Sequence, residues 1–464
     1  MSDRRLTADY LVVGCGAAGM AFTDTLVAET DAQVVMVDRR ATPGGHWNDA
    51  YPFVRLHQPS RYYGVDSMPL GGDAVEPAGP EAGLYERASG AEIRAYYDRV
   101  MSRRLIPSGR VRFFPQCDHV GEHRFVSRLT GDSFSVEVRK KLVDATYLSP
   151  FIPASTPPPF ELGAGASAIP VNDLARVTGS PERFVVIGAG KTAMDACVWL
   201  LERGVDPAAI RWIKPRESWL LNRVYAQPGE LVGSLYEGVA LQMESAARAT
   251  SVDDLFDRLE SADQLRRVDR GVLPTMYKAA TIADWEIDLL RRIDDVVRLG
   301  HVRRIERDRI VLERGTVRTS PGALHVHCAA EGLRRPPPVP IFGAGRITLQ
   351  PMRTGLVPFN AALVAFVEAH RGDDAEKNRL CPPNPYPDTP LDWARGTLIQ
   401  MRADRGWSQE PDVSSWLDRS RLNPSRGLRA RFGEPRVRNA SERFSAHVRP
   451  GLARLAELVE RAAG

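Results

Sequence analysis

Apolar and polar positions fall into one strong pattern that occurs twice. Near the start of the chain, Tyr10-Leu11-Val12-Val13 is an unbroken apolar run, as a strand covered on both faces requires. It leads directly into Gly14-Cys15-Gly16-Ala17-Ala18-Gly19, after which Ala21, Leu26 and Val27 recur at helical spacing. A second apolar run, Val34-Val35-Met36-Val37, stops at Asp38. Strand, glycine turn, helix, strand and acid in that order predict a parallel β–α–β unit around a G-x-G-x-x-G turn. The pattern returns at Arg183-Phe184-Val185-Val186-Ile187, followed by Gly188-Ala189-Gly190-Lys191-Thr192-Ala193, a G-x-G-x-x-A. A helix through Ala196, Val198, Trp199, Leu200 and Leu201 stops at Gly204, and the next strand, residues 210–213, ends in Lys214-Pro215-Arg216.

The intervening stretches are weaker but readable. Residues 64–90 are rich in Gly and Pro and predict a loop, and the spacing of Ile93, Tyr96, Tyr97, Val100 and Met101 predicts a helix over 92–105. Short alternating segments at 111–114, 123–129 and 134–138 predict a small antiparallel meander, with one more strand at 142–146. The proline-rich stretch 149–160 reads as a linker. Residues 230–299 predict a helical insertion, residues 305–319 a hairpin, 324–328 a strand and 350–370 a helix. The fold class expected is α/β, with two Rossmann-like dinucleotide-binding domains, a helical insertion and a C-terminal extension. The first domain is expected to be discontinuous, over 1–175 and 335–375. The second spans 176–334 with its insertion at about 230–299. Residues 376–464 form an extension that caps a site or builds an interface.

Composition narrows the classes. A chain of 464 residues is long enough for two or three domains. A net charge of only +4 gives no reason to expect a nucleic-acid partner. No apolar run approaches the roughly 18 residues of a spanning helix, and the first strand begins too soon for a secretory apolar region. The expectation is a cytoplasmic protein with no membrane partner, and homo-oligomerisation stays open. Cys15, Cys117, Cys197, Cys328 and Cys381 are far apart, which argues against relay of electrons to a closely spaced redox pair. His325 with His327, and His119 with His123, lack a Cys or carboxylate partner at ligand spacing, so no metal site is expected.

The two glycine units differ in the charge that comes after them, and that difference carries the chemistry. In the first, Gly14 makes the tight turn, Gly16 leaves room for a pyrophosphate, Gly19 lets helix and strand pack, and the helix N-terminus faces the phosphates. Asp38 is placed to accept from an adenosine ribose and to disfavour a 2′-phosphate. In the second, Gly188, Gly190, Lys191 and Thr192 form the turn, but Lys214 and Arg216 stand where an acid would be. The basic ending favours a 2′-phosphate, and so NADPH over NADH. Two such units imply two cofactors, an FAD held by the first and an NADPH visiting the second, with hydride passing from nicotinamide to flavin.

With these motifs the chain resembles the class B flavoprotein monooxygenases, the group of flavin-containing and Baeyer–Villiger monooxygenases. Gly44-Gly45-His46-Trp47 is similar to that group's G-G-T/L-W, with Tyr51-Pro52 and Arg55 following at similar spacing. Arg216, Trp219 and Arg223 resemble its arginine- and tryptophan-rich run. The chain departs from the group's F-x-G-x-x-x-H fingerprint, reading Phe160-Glu161-Leu162-Gly163-Ala164-Gly165, and its A-T-G segment reads Ala145-Thr146-Tyr147. The resemblance therefore implies a divergent member. It further implies that Arg39, Gly45, His46 and Trp47 join the FAD site, and that Arg223 and His57 stand near the flavin–nicotinamide junction. The implied reaction is NADPH-dependent insertion of one oxygen atom from O2 into a small molecule, such as an amine or sulfide, through a C4a-peroxyflavin. Two alternatives stay open: a flavoprotein reductase or dehydrogenase without oxygenation, and a nucleotide-binding protein without turnover.

Overall fold

The computed structural model describes residues 3–330, 332 and 334–462. The apolar strand Asp3–Val13 lies in the middle of a sheet, between Val34–Val37 on one side and Ser133–Asp144 on the other, all parallel. Val111–Phe114 extends the sheet beyond Val34–Val37, and Arg346–Thr348 extends it beyond Ser133–Asp144. The first unit thus takes an outer strand from far downstream. The helix Ala17–Glu29 is buried along most of its length because the sheet covers one side and the helix Val357–His370 another. A helix enclosed this way carries apolar residues all round rather than a stripe. Tyr10 ties the two segments together, its hydroxyl donating to Glu368 at 2.9 Å.

A second parallel sheet runs in the order Val296–Val297, Ile210–Ile213, Arg183–Ile187, Ala323–His327, Ala168–Pro170. The helix Lys191–Glu202 follows its glycine turn. A four-stranded sheet packs alongside, in which Glu161–Leu162 pairs with Val302–Ile305.

Several expectations change. Residues 161–162 and 168–170 pair with strands of the second unit, so the crossing lies before residue 161 rather than at 175. The strand over 111–114 belongs to the parallel sheet, not to a meander. Residues 134–138 and 142–146 merge into the single strand Ser133–Asp144, whose register shifts opposite Ala8 and Tyr10. A bulge interrupts the period-two pattern there, which makes one strand read as two. The insertion is only partly helical. Val232–Arg248, Val252–Ser261 and Asp284–Leu290 are helices, but Met276–Ile282 is a strand parallel to Ser218–Asn222, with Leu265–Arg266 on its other side.

The C-terminal extension is a helical layer: Asp374–Leu380, Pro390–Ser408, Pro411–Arg419 and Pro435–Arg461. Prolines open three of these helices, where the missing N–H costs nothing. The last packs along Val232–Arg248, and Leu455 and Leu458 join Trp219, Met243, Phe256 and Tyr277 in one core. The two helices meet most closely at Gly451, where a Cβ would stand 2.6 Å from the backbone oxygen of Met243. Gly406, in the helix Pro390–Ser408, would meet nothing within 4 Å among the described residues. Gly451→Ala should therefore force the helices apart and destabilise by about 1–3 kcal/mol. Gly406→Ala should stabilise by up to about 1 kcal/mol, since alanine loses less backbone entropy on entering a helix. Denaturant unfolding of both variants checks the opposite signs, and equal effects would contradict the packing described.

Candidate functional site

The first glycine turn is held by backbone contacts that leave little space for side chains. Gly14 has a φ of 99°, and its N–H donates to Val37 O at 2.8 Å. A Cβ on Gly19 would stand 1.9 Å from Gly14 O, so helix and strand approach here only without a side chain. Asp38 closes the turn from the neighbouring strand end. Its Oδ2 accepts from Cys15 N at 2.6 Å and its Oδ1 from Arg40 N at 2.8 Å. The loop carrying Gly45, His46 and Trp47 lies against the same turn: Gly44 N donates to Cys15 O at 2.8 Å, and a Cβ on Gly45 would stand 2.8 Å from Gly16 Cα. Gly16 is thus shaped by its packing on Gly45 as well as by any ligand. Trp47 is buried, its indole donating to Tyr63 at 2.8 Å, and the His46 ring lies 5.0 Å from it. Arg39 is exposed and reaches Asp118 at 3.3 Å. On the other flank Ala145 N bonds Val13 O, and Thr146 packs on Gly14.

The second turn is more open. Gly188 has a φ of 145° and lies against Cys328, and its carbonyl accepts from the Trp212 indole at 2.8 Å. A Cβ on Gly190, the helix N-cap, would meet nothing within 4 Å among the described residues. Backbone approach to a phosphate is free at this point. Thr192 is half-buried in the first turn of the helix.

The basic residues of this unit are already partnered, contrary to the expectation of a free cationic ending. Lys191 points inward, its ammonium paired with Asp195 and, at 2.8 Å, with Glu286. Lys214 is sealed in: it lies 4.1 Å from the Trp212 ring centroid and pairs with Glu217. Burial pulls its ammonium below the usual lysine range, against the charge of Glu217. Glu217 is the acid missing from the strand end, moved three residues along the chain. Arg216 stays partly exposed but binds Asp388 at 2.7 Å and Thr275 O at 2.8 Å.

Arg223 and His57 come together, with partners that sequence reasoning missed. Arg223 is fully buried between Glu81 and Glu286, the latter at 2.6 Å. Arg87 also pairs with Glu81 at 2.8 Å, and Tyr51 donates to Asp195 at 2.6 Å. Arg223, Arg87 and Lys191 thus face Glu81, Glu286 and Asp195, and the charges balance. Asp195 was visible in the sequence as the i,i+4 partner of Lys191. Glu81 and Glu286 come from a loop and from the insertion, and nothing local marks them. Burial alone would raise the Glu286 carboxyl, but Lys191, Arg223 and Arg87 hold it well below the usual carboxylate range. Glu81, Arg87, Asp195 and Glu286 of this network wall a cavity of about 280 Å³, whose other lining includes Phe53, Tyr85, Trp199 and Trp285 together with the charged Arg55, Glu76 and Glu202. Phe53 and Trp199 stack at 4.9 Å.

Burial lowers the His57 imidazole to about 4, helped by Lys191, Arg223 and Arg87 and opposed by Asp195. Burial likewise lowers His46 to about 4, helped by Arg40 and opposed by Asp49. Both rings are neutral in the fold at pH 7. Between the unfolded value of 6.5 and the folded value of about 4, the unfolded chain binds more protons. Stability should therefore fall as pH drops through that window, by on the order of 3 kcal/mol per ring over the full shift. His57→Gln should flatten the fall in urea midpoint between pH 7 and pH 4.5. A profile that overlays the wild type would mean that His57 takes up its proton as readily in the fold as in the unfolded chain.

Comparison with known proteins gives one close group of relatives. No protein-family model matches the chain. The chain is similar to Cyclohexanone monooxygenase from Rhodococcus sp. Phi1 bound to NADP+, at 13% identity and a TM-score of 0.48, covering 79% of this chain and 84% of that one. It is also similar to a flavin-containing monooxygenase from Stenotrophomonas maltophilia, at 17% identity and a TM-score of 0.37, covering 76% and 88%. In sequence, Uncharacterized protein Rv2000 of Mycobacterium tuberculosis is 47% identical over 421 residues, 90% of this chain and 78% of that protein. Uncharacterized protein Mb2023 of Mycobacterium bovis matches with the same figures. Identity of this level across nine-tenths of the chain leaves one conclusion: the protein belongs to the family of these mycobacterial proteins.

Proposed function

We propose that the chain is an FAD- and NADPH-dependent monooxygenase acting on a small molecule with O2 as co-substrate. One observation carries the reading. Two glycine turns of nucleotide-binding type stand on two parallel sheets, and one cavity, lined by aromatic and charged side chains, takes residues from the segment after each turn: Phe53 after the first, Asp195, Val198 and Trp199 after the second. The residues fit the two groups. Gly14, Gly16, Gly19, Gly45, His46 and Trp47, with Arg39 beside them, would hold FAD, and Asp38 keeps acceptor capacity for a ribose beyond its two backbone partners. Gly188, Gly190 and Thr192 would hold the pyrophosphate of NADPH, with Arg216 toward the adenosine end. Lys191 and Lys214, committed to carboxylates inside the fold, drop out of that set.

A bound flavin would supply the hydride acceptor and the centre where dioxygen is reduced. The chain's own residues orient and shield. Phe53, Tyr85, Trp199 and Trp285 present apolar faces to the cavity, beside the charged side chains that line the rest of it. Arg223 and Lys191 are immobile positive charges, fixed by Glu81, Glu286 and Asp195. His57, neutral well below pH 7, offers one donor and one acceptor nitrogen. A cavity of about 280 Å³ suits a small substrate, and its rings suit one with an apolar body around a soft nucleophilic centre such as an amine or sulfide. One observation favours a second reading, a flavoprotein reductase without oxygenation. Arg223 is 0% exposed and saturated on both sides, so it is not a free cation for a reacting oxygen.

Purified protein should be yellow, should oxidise NADPH, and should consume O2 in step with product when given a suitable amine or sulfide. NADPH oxidation that yields only peroxide or reduces an added quinone would favour the reductase. A colourless protein that binds no flavin would overturn both. Gly16→Ala separates cofactor loss from misfolding, because its Cβ would lie 3.4 Å from Gly45 Cα, which the fold accommodates. It should weaken flavin retention by about ten-fold or more with little change in melting temperature.

A further inference from the structure

The strand Ile210–Ile213 ends beside the second glycine turn, where Gly188 N donates to Ile213 O at 3.0 Å. Three residues on, Arg216 meets two other cations, Lys278 and Arg335, around Asp388, a carboxylate from the C-terminal extension. Asp388 lies 2.7 Å from Arg216, 3.4 Å from Arg335 and 3.6 Å from Lys278. Among the described residues, Arg216 and Arg335 by themselves outnumber the one carboxylate they share. Glu217, the nearby acid at the strand end, is committed to Lys214 and, at 2.8 Å, to Arg298. The three cations are 31–44% exposed, so a ligand can reach them from solvent. Asp388 is held independently of its carboxylate, its carbonyl accepting from Tyr277 N at 2.8 Å.

We propose that Asp388 is an internal competitor for the coenzyme's 2′-phosphate, and that Arg216, Lys278 and Arg335 read that phosphate together once it displaces the carboxylate. The proposal rests on the reading of the second glycine unit as the NADPH site. A phosphate monoester carries about twice the charge of a carboxylate and a third acceptor oxygen, so it matches three cations better than Asp388 does. A coenzyme with a bare 2′-hydroxyl cannot make that exchange. Asp388 therefore lowers the affinity of the chain for phosphorylated coenzyme, and in doing so sets how strongly the two coenzymes are distinguished.

The test uses two probes that differ only in the 2′-phosphate, adenosine 2′,5′-bisphosphate and adenosine 5′-monophosphate, titrated calorimetrically into the purified full-length protein. Asp388→Asn should tighten the bisphosphate about ten-fold and leave the monophosphate unchanged. In the wild-type background, Lys278→Met and Arg335→Gln should each weaken the bisphosphate several-fold, again without moving the monophosphate. If Asp388→Asn weakens the bisphosphate, Asp388 orients Arg216 rather than competing, and the proposal fails. If it weakens the monophosphate, Asp388 is a ribose ligand, and the proposal fails equally. Arg216→Gln separates these failures from that of the underlying reading. A preference for bisphosphate that Arg216→Gln abolishes and Asp388→Asn leaves alone overturns only the role of Asp388. Equal binding of both probes by wild type, Arg216→Gln and Asp388→Asn overturns the coenzyme site itself.

Discussion

The contact between Gly19 and Gly14 sets the geometry of the whole first unit. A Cβ at position 19 would come within 1.9 Å of Gly14 O, so the helix Ala17–Glu29 lies on its strand only because that atom is missing. The closeness of the helix aims its first N–H groups across Gly16, lets Asp38 reach the amide of Cys15, and leaves a face against which Val357–His370 packs. Repulsion at one atom pair thus decides where a phosphate could sit and where a distant helix docks. Gly45 repeats the principle against Gly16, and that second close approach holds the loop carrying Trp47 against the first turn.

The balanced charge network around Arg223 does a different job. Burying Arg223, Lys191 and Glu286 as ions, with Glu81, Arg87 and Asp195 half-buried beside them, is costly, and only mutual pairing with further hydrogen bonds offsets it. Ala283 N and the Trp285 indole supply such bonds, donating to Glu286 at 2.8 Å and to Glu81 at 2.9 Å. The members come from the loop with Glu81 and Arg87, the helix with Lys191 and Asp195, the stretch after Ser218–Asn222 with Arg223, and the insertion with Glu286. The network therefore specifies how four separate stretches of chain meet, which apolar packing alone specifies less sharply.

Local features were legible in the sequence, and long-range ones were not. The strands at 10–13, 34–37, 183–187 and 210–213, both glycine turns and Asp38 followed from a pattern in which each signal lies within a few residues of the next. The helix beginning at Gly90 was equally plain, capped by Ser89 and Glu92. The strand Met276–Ile282 was hidden because its partner, Ser218–Asn222, is far away and its neighbours are helical. The partners of Lys214 and Arg216 escaped for two reasons. Glu217 was overlooked because it comes after the strand rather than ending it. Asp388 lies in another part of the fold, and nothing local to Arg216 points to it.

The strand Arg346–Thr348 has a consequence for how the protein is made. It completes the first sheet, and the helix Val357–His370 then covers Ala17–Glu29. Both arrive after every strand of the second sheet has been synthesised. As the chain leaves the ribosome, the second unit has all its strands before the first has its last. The earliest residues must wait longest, with the Ser133–Asp144 edge unpaired and one side of the first helix uncovered. Non-local closure of this kind is slow and leaves sticky surface in the open. The N-terminal unit, first to be translated, is the last to become safe from aggregation.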